Sequence, residues 1–464
     1  MNRNSIDGRE DRRSHGQLDA NKSPQDLGRP PKRVGYWVAR LFCSTILIGL
    51  VLNIFLSANW AWGIAGIYFL WIGFGLILRA INMAINPRPS VPLEWDQQQD
   101  LGDPDQTIER CNKALQDDPH NVRAWNNKGA ALQSMGRLAE AVDCFDKALN
   151  IDSRDSKLWY NKGKALGDLS QFKDAVKCLD EACQIEPHNT LYWYSIGIAW
   201  RALGETERAI ECYDKALKID PQKAIIWNNK GGALRSLGRL QEALTCFDNA
   251  IRIEPRNATF WCNNGNVMGE LRRSEEAIAH FDKALEIDPE YAAAWHGSGS
   301  SHYHLGQVET AIAHYDRALH ADPEFFEAWR DKGSLLCELG QFEEGVPCFD
   351  EALRLNTEDV SVWGNKGIAL GRLARHSAAL ACFDNALNIN PQDGKSWSNK
   401  GAALYSLGQH EEALECFDRA IEIDPKYTRA WRNRGDALQA LNRPEEARAS
   451  FDKARQADRE NEQR

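Results

Sequence analysis

VRAWNNKGAALQSMGRLAEAVDCFDKALNIDSRD, residues 122–155, passes once through a pattern of residue types and then begins it again. Its tryptophan, Trp125, returns at Trp159, Trp193, Trp227, Trp261, Trp295, Trp329, Trp363, Trp397 and Trp431, always 34 residues on. Self-similarity at a fixed period means stacked identical units rather than one globular core. If each unit is numbered so that its Trp is position 4, ten units run from Val122 to Asn461 without an insertion.

The fixed positions describe two antiparallel helices. Position 8 is Gly in all ten units, position 20 is Ala in nine with Gly345 in the other, and position 27 is Ala in all ten. Position 24 is Phe, Tyr or Leu throughout. Small residues at 8 and 20 let two backbones approach, and rings at 4 and 24 are expected to fill the space beside them. Gly at position 15 in six units, as in Gly136 and Gly340, marks the turn between the helices, and Pro at position 32 closes seven units. Gly345 and Pro347 fall inside the second helix of unit seven, where proline is expected to kink it. Ile108, Cys111, Ala114, Leu115 and Pro119 occupy second-helix positions ahead of unit one, so residues 104–121 read as a half-repeat that caps the N-terminal end. At the other end Arg448 and Arg455 replace apolar residues, so the last helix caps itself.

This Trp, Gly, Ala, aromatic, Ala, Pro pattern resembles the tetratricopeptide repeat and covers about three quarters of the chain. The resemblance implies an all-α fold: a right-handed superhelical solenoid of ten helix-turn-helix repeats over residues 122–464. It also implies a concave groove lined by the first helices, in which partner proteins are held.

Residues 1–33 are polar and aperiodic and read as a disordered tail, and residues 81–103 as a linker. Between them, Leu41 to Leu78 contains no charged residue. As one helix this stretch would measure about 57 Å, nearly twice the hydrocarbon core of a bilayer, so residues 34–80 are expected to form a two-span transmembrane helical hairpin that turns at Ser57–Trp60. Trp60 and Trp62 suit the interfacial belt. Lys32, Arg33 and Arg40 precede the hairpin and Arg79 and Arg88 follow it, which places both ends and the repeats in the cytoplasm. Asn53 within the first span reads as an inter-helix hydrogen bond. The expected location is therefore the cell membrane, entered through residues 41–78.

Seven of the twelve cysteines recur at position 23, one packing distance apart and too far for disulfides, and no CxxC pair occurs. They read as small buried fillers. Six of the eleven histidines fall between His280 and His320, yet His280 and His314 simply replace Cys at position 23, and His302 sits where Leu usually packs. His302 and His304 do not face each other on a helix, so no metal is expected. Without a phosphate loop, a nucleophile elbow or a Ser/His/Asp constellation, neither an enzyme nor a cofactor is expected. Asp at position 25 in all ten units reads as a solvated or turn-bonding face.

Position 6 lies about 200° around the helix from Trp and points away from the unit's own core. Seven units place Asn there: Asn127, Asn161, Asn229, Asn263, Asn365, Asn399 and Asn433. A column of amides can pair with an extended peptide backbone without specifying its side chains. Tetratricopeptide superhelices carry such an asparagine ladder along the groove, which here is interrupted at Ser195, Gly297 and Asp331. The formal net charge is −10, and the first ninety residues hold eleven Lys/Arg against five Asp/Glu, so the repeats are strongly acidic and suit no nucleic acid. The positions that face the groove in this family are nevertheless basic: Arg123, Lys157, Lys164, Arg201, Arg235, Arg330, Arg372, Lys395, Arg429 and Arg432.

Carboxylate-clamp members of the family hold C-termini with bases bracketing amides, and Arg330, Ser334, Asn365, Lys395 and Asn399 occupy those positions. Lys at position 7, as in Lys128, Lys162 and Lys230, departs from the family's usual Leu. These features predict a membrane-tethered cytoplasmic scaffold that binds peptide segments or C-termini of partner proteins. The alternative is a structural subunit of a membrane secretion or envelope-assembly complex that binds through its convex face and edges.

Overall fold

The computed structural model describes residues 103–462. The expected tail, the expected transmembrane hairpin with Asn53, and nearly all of the expected linker lie outside the described residues. Among the described residues there are twenty-one α-helices and no strand, and no helix is long and apolar enough to cross a membrane.

The half-repeat is a single helix, Pro104–Asp117, and ten helix pairs follow it. Unit one sets the template, with a first helix Val122–Ser134 and a second helix Leu138–Ile151. First helices begin at a side-chain cap where the sequence supplies one: Asn121, Asp155, Asn189, Asn257, Asp359 and Asp393 each accept from a backbone N–H of the first turn. Each ends when position 15 turns left-handed, and position 16 then donates back to the carbonyl of position 11, as Arg137 does to Leu132 at 2.9 Å. Six glycines take that turn at φ of 72–82°. Ser170, Arg272, Ala374 and Asn442 take it as well, at 56–61°, where a side chain is strained.

The two helices of a unit close on a glycine and a ring. A Cβ added to Gly197 would stand 2.5 Å from Tyr213 Cε1, and one added to Gly367 would stand 2.6 Å from Phe383 Cε1. The rings at position 24 are accordingly buried, except in the last unit, with Phe145 and Phe349 wholly so and Phe451 half-buried. The tryptophans pack against the same clusters as these rings, Trp125 with Phe145, Trp227 with Phe247, Trp363 with Phe383 and Trp397 with Phe417, without being fully buried themselves. All ten are half-buried, and each donates from Nε1 to the carbonyl six residues earlier at 2.9–3.0 Å, latching the loop between units.

Unit seven keeps one unbroken second helix, Phe342–Leu355, across Pro347. Gly345 there has a packing cause, because a Cβ would meet Cys337 Sγ at 2.6 Å. The last helix, Pro444–Glu462, is the longest of the described helices, and Arg448 and Arg455 are exposed on it. Consecutive first helices touch one another along the stack, which puts them on the inner side of its curve.

Candidate functional site

The asparagines at position 6 line this inner face, half-buried. Several are pinned by the preceding unit. Asn161 Nδ2 donates to Asn126 Oδ1 at 2.8 Å, Asn229 to the Tyr194 hydroxyl at 2.7 Å, and Asn263 to Asn228 Oδ1 at 2.8 Å. Position 6 thus bonds position 5 of the unit before it. Asn365 follows Arg330 and reaches Ser334 Oγ instead, at 3.4 Å. These bonds take one N–H of each amide, so the residues that were candidate ligand contacts also tie units together.

The ladder's three interruptions have separate causes. Ser195 is fully buried and donates to its own helix at Leu191 O. Gly297 is forced, because a Cβ would lie 2.4 Å from Phe281 Cζ of the preceding unit. Asp331 continues the pattern with charge, meeting His296 Nε2 at 2.9 Å and Arg330 Nε at 2.7 Å. Burial alone would raise the Asp331 carboxyl, but bonds from His296 and Arg330 hold it below the usual range.

Some of the basic groove residues are already paired. Arg235 meets Glu270 at 2.6 Å, Arg330 meets Asp331, and Arg432 meets Asp458 at 2.5 Å. Lys164 is held below its usual pKa by burial, with Asp168 opposing that shift. Lys395, Arg123 and Arg429 are exposed, and Arg201 is half-buried beside Gly232. Of the residues at clamp positions, Asn365 and Ser334 stand 3.4 Å apart, while Arg330 is engaged by Asp331.

Position 7 does not reach the groove. The ammonium groups of Lys162, Lys230, Lys332, Lys366 and Lys400, and the guanidinium of Arg434, meet the position-25 carboxylate of the preceding unit at 2.5–2.7 Å. Each also sits 5.3–5.9 Å from the centre of its own unit's Trp ring. The position-25 row is therefore largely one of ion-pair acceptors between units, not merely a solvated face. A signal existed in the sequence, since Lys and Asp recur sixteen residues apart. Without knowing which helices touch, that spacing did not read as a contact. Units three, five and six break the clasp with Ile196, Asn264 and Ser298; Asn264 still bonds the position-25 carboxylate, Asp248, at 2.7 Å, while Ser298 pairs with His314 instead, at 3.1 Å.

The seven position-23 cysteines are buried, free of disulfides, and have thiol pKa values raised by burial, to about 11 for Cys178, Cys246 and Cys416 and about 12 for Cys212. His302 does face a histidine, but it is His314, with ring centres 4.8 Å apart. Among the described residues no three metal-type ligands converge.

Comparison with known proteins fits this geometry. Family models described as tetratricopeptide repeats match residues 122–155, 156–189, 191–223, 212–245 and 231–271. A model of the cilia and flagella-associated protein 70 C-terminal domain matches residues 255–464. The chain carries tetratricopeptide repeats, a class whose members bind protein or peptide partners.

No curated protein matches the chain. Similar solved structures include YrrB, described as a TPR protein with an unusual peptide-binding site, at 28% identity over 40% of this chain and 95% of that one, with a TM-score of 0.37. MamA from Desulfovibrio magneticus RS-1 is 20% identical over 36% of this chain and 96% of its own, with a TM-score of 0.35. Yeast Tom70 is 18% identical over 76% of this chain and 88% of its own, with a TM-score of 0.38.

Proposed function

We propose that this protein is a membrane-tethered cytoplasmic scaffold that holds extended peptide segments or C-termini of partner proteins against the inner face of its repeats. One observation carries the reading. The half-buried amides at position 6 are fixed in register by bonds to the unit before them, yet those bonds leave the carbonyl oxygens of Asn161, Asn229 and Asn263 for a ligand N–H. A backbone pairs with such a row whatever its side chains, and pre-ordered amides lose little freedom on binding. Arg330, Asn365, Asn399 and Lys395 mark where a terminal carboxylate would dock, displacing Asp331 from Arg330. Anchoring rests on the uncharged stretch from Leu41 to Leu78 and the basic residues on both sides of it.

Two experiments test the two halves. With residues 91–464 as bait for membrane extracts, substitution of Asn229, Asn263, Asn365 and Asn399 by Ala should abolish capture of the partners that the parent bait retains. Substitutions on the outer, second helices should not, and the opposite pattern overturns the groove reading. For the anchor, Asn59→Cys should react with an impermeant maleimide in intact cells, and Ala20→Cys or Arg464→Cys should not. Labelling of either terminus refutes the hairpin topology.

A further inference from the structure

The inner face changes character between units four and six. The first helix of unit six, Ala292–His304, reads AAAWHGSGSSHYH, and its small residues open a pocket of about 440 Å³ against the first helix of unit five, Ala258–Glu270. Gly297 has no room for a side chain because it presses on Phe281, whereas a Cβ on Gly269 would meet only Ser301 Oγ, at 4.0 Å. The floor is thus close-packed and the space above it is left open. A volume of this size suits a ligand side chain rather than a water or a bare ion.

The rim of this pocket is cationic. Arg235, Arg272 and His304 stand around it, with Glu270 as the acidic member, already bound to Arg235 at 2.6 Å. Arg272 is unusual twice over. It takes the left-handed turn at φ 61°, where six other units place glycine, so it sits in a backbone conformation that costs stability. Its Nη1 lies 3.3 Å from the imidazole of His304 in the next unit, and it meets no carboxylate among the described residues. An arginine held at a strained position, beside another basic group and at the mouth of an open pocket, is a cation without its counter-charge.

We infer that this notch is a subsite for an anionic side chain, carboxylate or phosphate, on a peptide lying along the groove. Arg272 supplies charge-assisted hydrogen bonds, His304 stands beside it as a further hydrogen-bonding group, and Arg235 sets the field with Glu270 holding it in place. The inference rests on the proposed peptide-binding reading and adds a side-chain preference that the asparagine row alone cannot give.

The test uses the full chain and four nonapeptide pools, N-acetylated and C-terminally amidated so that no terminal charge contributes. Each is degenerate except at its centre, which is Glu, phosphoserine, Gln or Lys. Fluorescence anisotropy should give binding about ten-fold tighter for the Glu or phosphoserine pool than for the Gln pool, with the Lys pool weakest, and a preference that shrinks as salt is raised. Which of the two anionic pools binds better identifies the anion.

Arg272→Gly introduces the residue that other units carry at this turn, so its melting temperature should hold or rise while the ratio of Glu to Gln binding falls toward one. His304→Ala should lower the same ratio. If Glu, phosphoserine and Gln pools bind alike, or if Arg272→Gly keeps the preference, the notch inference is overturned and the peptide-binding reading stands. If no pool binds, both fall.

Discussion

At the scale of single residues, two positions in each unit are decided by backbone geometry rather than by side-chain chemistry. Position 8 must be glycine because the side chain at position 24, a ring in nine units and Leu179 in unit two, occupies the place of its Cβ, and position 15 favours glycine because its φ is positive. Unit eight offers both tests within a few residues. Gly367→Ala forces the new methyl against Phe383 and should cost about 1–3 kcal/mol, the range for overpacking a filled core. Ala374→Gly relieves a φ of 56° and should raise stability by about 0.5–1 kcal/mol, strain relief outweighing the freedom that glycine gains in the unfolded chain. Urea denaturation of both variants measures the pair, and a drop in midpoint for Ala374→Gly would show that the turn is not strained.

At the scale of elements, the helices of one unit are joined to the next by three recurring contacts: the Trp latch, the position-6 amide, and the position-7 clasp. The clasp from Lys366 to Asp350 spans 2.5 Å, with Lys366 17% and Asp350 52% exposed. Solvent on the carboxylate side screens the charge, so a double-mutant cycle with Lys366→Met and Asp350→Asn should give a coupling of about 0.5–1 kcal/mol that fades in 1 M salt. A coupling that survives high salt would point instead to the lysine stem packed on Trp363. None of these three contacts was legible as a contact in the sequence, although the residues that make them were. The period, the helix pairing and the glycine turns could be read directly because each depends on neighbours within one unit. The partner of Asn161 or Lys366 lies in another unit and is fixed only once the stacking offset is known. For that reason the asparagines read as free amides and the aspartates as a solvated row.

At the scale of the whole solenoid, the junctions are not equal. Units five and six combine a missing or altered clasp with His280 and His314 at the position where seven other units bury cysteine. Burial holds both imidazoles below the usual histidine pKa of 6.5, and the buried Nδ1 of His280 has no hydrogen-bond partner. A group that binds its proton less readily folded than unfolded gives stability that is intact above the unfolded value and lost as pH falls below it. Acidification from pH 7.5 to 5.5 should therefore lower the melting temperature, and His280→Cys with His314→Cys should lessen that fall. Amide exchange should locate the loosening at residues 258–321, and an equal acid response in the double variant would assign it elsewhere.

The tryptophan latch also limits how the chain can vary in length. Each indole N–H reaches back over the loop to the carbonyl six residues before it, and each turn within a unit is closed by a bond from position 16 to position 11. One extra residue in the loop moves the carbonyl out of reach of the indole, and one in the turn breaks its closing bond. Both would also rotate every later inner-face amide away from its partner in the unit before. The only additions that keep all of these bonds are whole units, so the inner face can lengthen or shorten only in steps of 34 residues, one row of first-helix side chains at a time.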